Sequence, residues 1–166
     1  MTDRDRVVVL RAPGEVTIRE DEAAPPRDGQ VRVRTRFSGI SAGTELSYVK
    51  GTNPYLTSRF DRTLGLFLRG TPSVSYPVDR LGYMAVAEVV ESRSPVVTEG
   101  TLVAMPYGHR TGYVADPLVD RMVPLPSGLD PILGVFVAHM GPICANGLLH
   151  AAADLHGTDV RGLGDG

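Results

Sequence analysis

Apolar and polar residues alternate most clearly over residues 30–37. Val31, Val33, Thr35 and Phe37 fall on one face, and Arg32, Arg34 and Arg36 on the other. A period of two is that of a strand with one buried face. Apolar stretches at 7–10, 84–91, 101–105, 112–115 and 121–123 predict further strands. Residues 15–19 read as the hairpin partner of the first strand, across Ala12-Pro13-Gly14. Residues 21–29 form an acidic, proline-containing loop, and 44–49 one helical turn.

Two segments carry a helical period instead. Leu56, Phe60, Leu64, Phe67 and Leu68 predict a short amphipathic helix within 51–77, either a lid over a pocket or a packed surface insertion. Near the end, Asp130 suits the N-cap of a helix and Pro131 its first position. Leu133, Val137, Met140, Cys144 and Leu148 then make a stripe expected to be buried, with Cys144 an inert core thiol. Pro142, preceded by Gly141, is expected to kink or divide that helix. No internal repeat is present.

Composition narrows this picture. The chain has 166 residues, 42% hydrophobic and 22% charged, enough for one globular domain. Its 19 Gly and 13 Pro favour a turn-rich β domain over a helical bundle. A net charge of −2 gives no electrostatic case for nucleic acid or an anionic membrane. A single cysteine excludes an intrachain disulfide and fits a reducing compartment. The first six residues are polar, and no run of about 18 apolar residues exists, so a cytoplasmic location is expected.

The candidate chemistry starts where the alternating strand ends. Ser38-Gly39-Ile40-Ser41-Ala42-Gly43-Thr44-Glu45-Leu46 is dense in small and hydroxyl residues, as suits a loop whose backbone approaches a ligand. This segment resembles the start of the catalytic domain of the medium-chain dehydrogenase/reductase family, the zinc-type alcohol dehydrogenases and their relatives. In the zinc enzymes a Gly-x-Cys-x-Thr-Asp-like run supplies a metal ligand here. The cysteine position falls on Ser41 or Ala42. The second ligand, the His of a Gly-His-Glu, is met by Gly82-Tyr83-Met84, and the third aligns roughly with Pro142. None is a zinc ligand, since zinc sites use thiolate, imidazole or carboxylate. The resemblance is nearest to a zinc-less subgroup containing bacteriochlorophyllide-type dehydrogenases, through residues 38–45, Tyr76-Pro77-Val78, Leu81-Gly82-Tyr83 and Val123-Pro124-Leu125-Pro126.

The resemblance implies a mainly β fold: a GroES-like, partly open β-barrel with a few short helices and a C-terminal helix. It divides the chain into a GroES-like catalytic domain at 1–154 and a linker at 155–166 toward a dinucleotide-binding domain. Gly162-Leu163-Gly164 follows no strand, so no cofactor is expected on this chain, and NAD(P) only where such a domain is supplied. The reaction implied is hydride transfer to or from a carbonyl or alcohol, independent of zinc, and not by this chain alone. A standalone cofactor-free isomerase, cyclase or dehydratase using the same cleft, and a non-catalytic binding or assembly domain, stay open. The expected partners are a small-molecule substrate and either a second copy or the dinucleotide-binding half.

Residue by residue, Thr44 matches a hydroxyl position beside the substrate, or else caps the helix. Tyr83, at a former ligand position, can donate a hydrogen bond to a carbonyl, or else fills the vacated volume. These two are the catalytic candidates. Ser41, Glu45, His109 and Asn146 are candidates for substrate binding. Against each stands a structural reading: a satisfied turn for Ser41, loop hydrogen bonding for Glu45, a solvated loop histidine for His109 and helix packing for Asn146. His139 lies on the same helix as Asn146. No chelating spacing of His and Cys is present, so no metal is expected.

Overall fold

The computed structural model describes residues 4–151. The chain opens with the antiparallel hairpin β1 (Arg4–Ala12) and β2 (Glu15–Glu22), turning at Gly14 with φ of 78°. A five-stranded antiparallel sheet follows, built from β3 (Val31–Ser38), β6 (Ala85–Ser92), β7 (Leu102–Met105), β8 (Gly112–Ala115) and β9 (Val123–Pro124). Its order is β8-β3-β6-β7-β9. Strand β1 is tied to the connecting segments by isolated bridges, Val7 with Arg110 just before β8 and Leu10 with Val78 in the stretch before β6. The result is the mainly β, partly open barrel expected. Helix α1 (Ala42–Val49) follows β3, a small hairpin of β4 (Ser58–Asp61) and β5 (Leu66–Arg69) projects, and α2 (Met140–Ala151) closes the described chain.

The alternation of β3 does what it predicts at its start, where Val31 and Val33 enter a core with Ala87, Val89, Val103 and Met105. It fails at the far end. The register with β6 slips between Arg32 and Val33 and again between Thr35 and Phe37. Such bulges turn a side chain out of phase, and Phe37 ends exposed. Arg32, on the nominal solvent face, is half-buried and pairs with Asp5 at 2.8 Å.

Two helical expectations are corrected. Residues 51–77 contain no amphipathic helix. Pro54–Leu56 is a short 3₁₀ turn, and β4 and β5 form a hairpin. Phe60 sits directly opposite Phe67, their rings 5.1 Å apart, so the apparent helical spacing is a cross-strand pair. Asp61 accepts from the amides of Thr63 and Leu64, and Gly65 at φ of 66° completes the turn.

The second correction concerns the C-terminal stripe. Asp130 does cap, accepting from the amide of Ile132 at 3.1 Å, but it opens a 3₁₀ helix, Pro131–Phe136. The chain divides at 137–139, before Pro142, which lies in the first turn of α2 where its missing N–H is harmless. Leu133, Cys144 and Leu148 are exposed, and no residue of α2 is buried, so Cys144 is not a core thiol. Among the described residues, no helix is long and apolar enough to cross a membrane. The domain boundary expected at 154, and the linker at 155–166, lie outside the described residues.

Candidate functional site

The site gathers where β3 hands over to α1. Ser41 is the N-cap of α1, yet its side chain makes no capping bond. An N-cap serine ordinarily accepts from an amide of the first turn, a bond worth about 1 kcal/mol. Here the hydroxyl is engaged elsewhere: Tyr83 Oη donates to Ser41 Oγ at 2.5 Å. Tyr83 stands just before β6, half-buried against Met84, Val86 and Val135. Its ring meets His139 edge-on, with centroids 4.7 Å apart.

Glu45, one turn into α1, secures the same corner. It is 7% exposed, and its Oε1 accepts from the backbone N–H of Ser41 at 2.9 Å. Its Oε2 faces His109 Nε2 at 2.7 Å. The other ring nitrogen of His109, Nδ1, bonds Ser38 Oγ. The imidazole is held from behind as well. Gly82 has φ of 90°, and a Cβ there would stand 2.8 Å from His109 Nε2. The main chain of His109 donates to Leu81 and accepts from Val8.

Two clusters therefore share one backbone group. Ser41 and Tyr83 form the first, with His139 beside them, and Glu45, His109 and Ser38 the second. The amide of Ser41 joins them. His109 is not a solvated loop residue, since its side chain is only 14% exposed. Thr44 is the third residue of α1, exposed, and caps nothing; its side chain makes no hydrogen bond among the described residues. Asn146 is exposed on α2, apart from both clusters. Ser38 and His139 complete the clusters and were not among the site candidates. In sequence Ser38 is only the first hydroxyl of the small-residue segment, and nothing local ties it to a histidine 71 positions away.

The residues do not fit zinc. The three positions that the resemblance aligns offer Ser41 or Ala42, Tyr83 and Pro142, none of them a zinc donor. Among the described residues, no group of three or more His, Cys, Asp or Glu is placed to hold a metal ion. Every strand pair among the described residues is antiparallel, so the parallel strand–turn–helix unit of a Rossmann-type site is not found among them.

No family model matches the sequence, and no curated protein sequence matches it. Solved structures do. The human synaptic vesicle membrane protein VAT-1 homolog-like protein superposes with a TM-score of 0.63 at 15% identity, over 92% of this chain and 45% of that one. S. aureus TarJ in complex with NADPH gives 0.57 at 23% identity, over 81% of this chain and 38% of that one. The 2R,3R-butanediol dehydrogenase of Bacillus subtilis gives 0.58 at 16% identity, over 80% and 44%. This chain spans less than half the length of each. These neighbours are members of the medium-chain dehydrogenase/reductase family, and the likeness is one of fold: the described residues take the GroES-like β architecture that those proteins contain.

Proposed function

We propose that this chain is the substrate-side, catalytic-domain portion of a zinc-independent NAD(P)-dependent oxidoreductase acting on a carbonyl or alcohol. The observation that carries the reading is the bond from Tyr83 Oη to Ser41 Oγ, made at the expense of the helix cap. A serine oxygen that accepts from a phenol is free to turn its own O–H outward. That O–H then donates to a carbonyl oxygen in the cleft, and its acceptor bond from Tyr83 strengthens as the proton moves away. Ser41 thus stabilises the developing alkoxide and delivers the proton, Tyr83 passes its own to Ser41, and solvent returns one to Tyr83. Such donors, fixed in advance, do in hydroxyl form what a Lewis acid does in the zinc enzymes. Thr44, one turn on and exposed, offers a further hydroxyl from the same helix.

NAD(P), where bound, supplies or takes the hydride. The described residues provide no nucleotide fold, so the reading places its site on another part of the protein or on a partner. Glu45 has both oxygens committed, and with His109 it holds the Ser41 corner in register. Asn146 belongs to the cofactor-facing side of the cleft. A cytoplasmic, reducing setting belongs to the same reading, with Cys144 unpaired.

A second reading, an assembly role, draws on the apolar side chains left exposed at the C-terminal end. Ile132, Leu133, Phe136, Ile143, Leu148 and Leu149 lie there. A face of this kind suits association with a second copy or with a dinucleotide-binding half. Light scattering at increasing concentration tests it, and a monomer throughout would refute self-association. The first reading is tested by incubating the natural polypeptide with NADH or NADPH and a panel of aldehydes and ketones. Loss of absorbance at the nicotinamide band is expected, and its absence across the panel would overturn the reading.

A further inference from the structure

The second cluster has a chemistry of its own. Ser38, His109 and Glu45 are wired as hydroxyl, imidazole and carboxylate in series. Glu45 is buried and accepts at Oε2 from the Nε2–H of His109. With the proton on Nε2, Nδ1 carries the lone pair, and the Ser38 hydroxyl donates to it. That is the arrangement that activates a serine nucleophile, with the two ring nitrogens in exchanged roles. The imidazole cannot swing out of line, because Gly82 packs against it and its backbone is bonded on both sides.

Access is also provided. Glu45 and His109 are largely enclosed, whereas Ser38 is exposed at the end of β3. Ser38 and His109 open onto a depression of about 270 Å³ whose walls include Val7, Val8 and Ile18. Arg6 and Arg110 line it mainly through their apolar stems, the Arg6 guanidinium pairing with Glu20 and that of Arg110 lying over the Tyr113 ring. The opening lies beside β1, so a ligand there meets the β1–β2 side of Ser38.

We propose that Ser38 is a nucleophile activated by His109 and Glu45, and that it accepts short aliphatic acyl groups from activated esters. Ser38 Oγ attacks the ester carbonyl while its proton passes to His109 Nδ1. The tetrahedral adduct collapses with cleavage of the ester C–O bond. The leaving oxygen takes the proton from Nδ1, and an acyl-Ser38 remains. Water repeats the sequence with His109 as base and releases the acid. Glu45 orients the ring and stabilises the imidazolium. This site needs neither nicotinamide nor Tyr83, so it stands or falls apart from the hydride reading.

The test is to treat the full chain with an alkyl fluorophosphonate and with p-nitrophenyl butyrate, then map the adduct by peptide mass spectrometry. Labelling at Ser38, abolished in Ser38→Ala, is expected. His109→Gln should slow acylation by roughly 10²-fold or more, the usual share of a positioned general base. Should His109→Gln fail to give the wild-type circular dichroism and melting curve, Ser38→Cys decides: iodoacetamide should alkylate it faster than Cys144 in the same chain. No labelling, labelling only at other residues, a folded His109→Gln variant acylated at the wild-type rate, or Cys144 outpacing the introduced thiol would each overturn the assignment.

Discussion

Replacing Glu45 examines the whole corner at once. The carboxylate is 7% exposed and serves two donors, the Ser41 amide at 2.9 Å and His109 Nε2 at 2.7 Å. In Glu45→Ala both donors lose their acceptor. A buried donor left unpaired costs about 1–3 kcal/mol. The Ser41 amide, at the open end of a helix, falls at the low end of that range. His109, 14% exposed, falls higher. A loss of about 2–4 kcal/mol follows. Glu45→Gln differs in kind. Its carbonyl can serve Ser41, and its amide can face Nε2 if the imidazole moves its proton to Nδ1 and donates to Ser38. Every group stays paired, but charge-assisted bonds become neutral ones, a loss of about 1 kcal/mol. Urea unfolding followed by circular dichroism measures both, provided the slopes with denaturant match wild type. Glu45→Ala within about 0.5 kcal/mol of wild type, the range of ordinary surface changes, would refute the network. A Gln variant as unstable as the Ala variant would refute the tautomer argument.

Packing and pH give further checks. A Cβ at Gly134 would stand 2.5 Å from Leu125 Cδ1 and 2.8 Å from Val86 Cγ2, so Gly134→Ala should lower stability by about 1–3 kcal/mol by overpacking; an unchanged urea midpoint would contradict this. Burial pushes the Tyr107 phenol up to about 12, against a smaller lowering from its bond to Thr35. The unfolded phenol loses its proton near pH 10, so the folded state binds the proton more tightly above that pH. Stability should hold level below about pH 10 and fall toward pH 12 by about 1.4 kcal/mol per unit. Tyr107→Phe should flatten most of that fall, Tyr48, also raised by burial, keeping a share; an identical alkaline slope in the variant would refute it.

What the sequence makes legible is whatever one segment decides. Residues 31–33 announce a half-buried strand, and Asp130-Pro131 announces a helix start, because each signal is complete within a few positions. The bulges of β3 are set by its partner β6, so the outward turn of Phe37 is invisible in the chain itself. Phe60, Leu64 and Phe67 match a helical period and a tight hairpin equally well. Asp61 and Gly65, which decide for the hairpin, are weak signals against that period. The stripe at 133–148 has the period of a buried helix face, but only Val137 and Met140 are partly covered, and Leu133, Cys144 and Leu148 stay exposed among the described residues. The segment at 38–46 stands out as a site because its chemistry is contiguous. The pairing of Glu45 with His109 joins residues 64 apart, and only the barrel brings them together.

In the proposed reaction the Tyr83–Ser41 pair takes over the work of a metal on a carbonyl oxygen. The most direct measurement of that role is NAD(P)H-dependent carbonyl reduction by the natural polypeptide after exhaustive chelation, in wild type and in Tyr83→Phe and Ser41→Ala. Wild-type kcat/KM should survive chelation, and each variant should lose roughly 10²–10³-fold, as when one oxyanion donor is removed. Activity abolished by the chelator and restored by zinc, or two folded variants with wild-type kcat/KM, would contradict it.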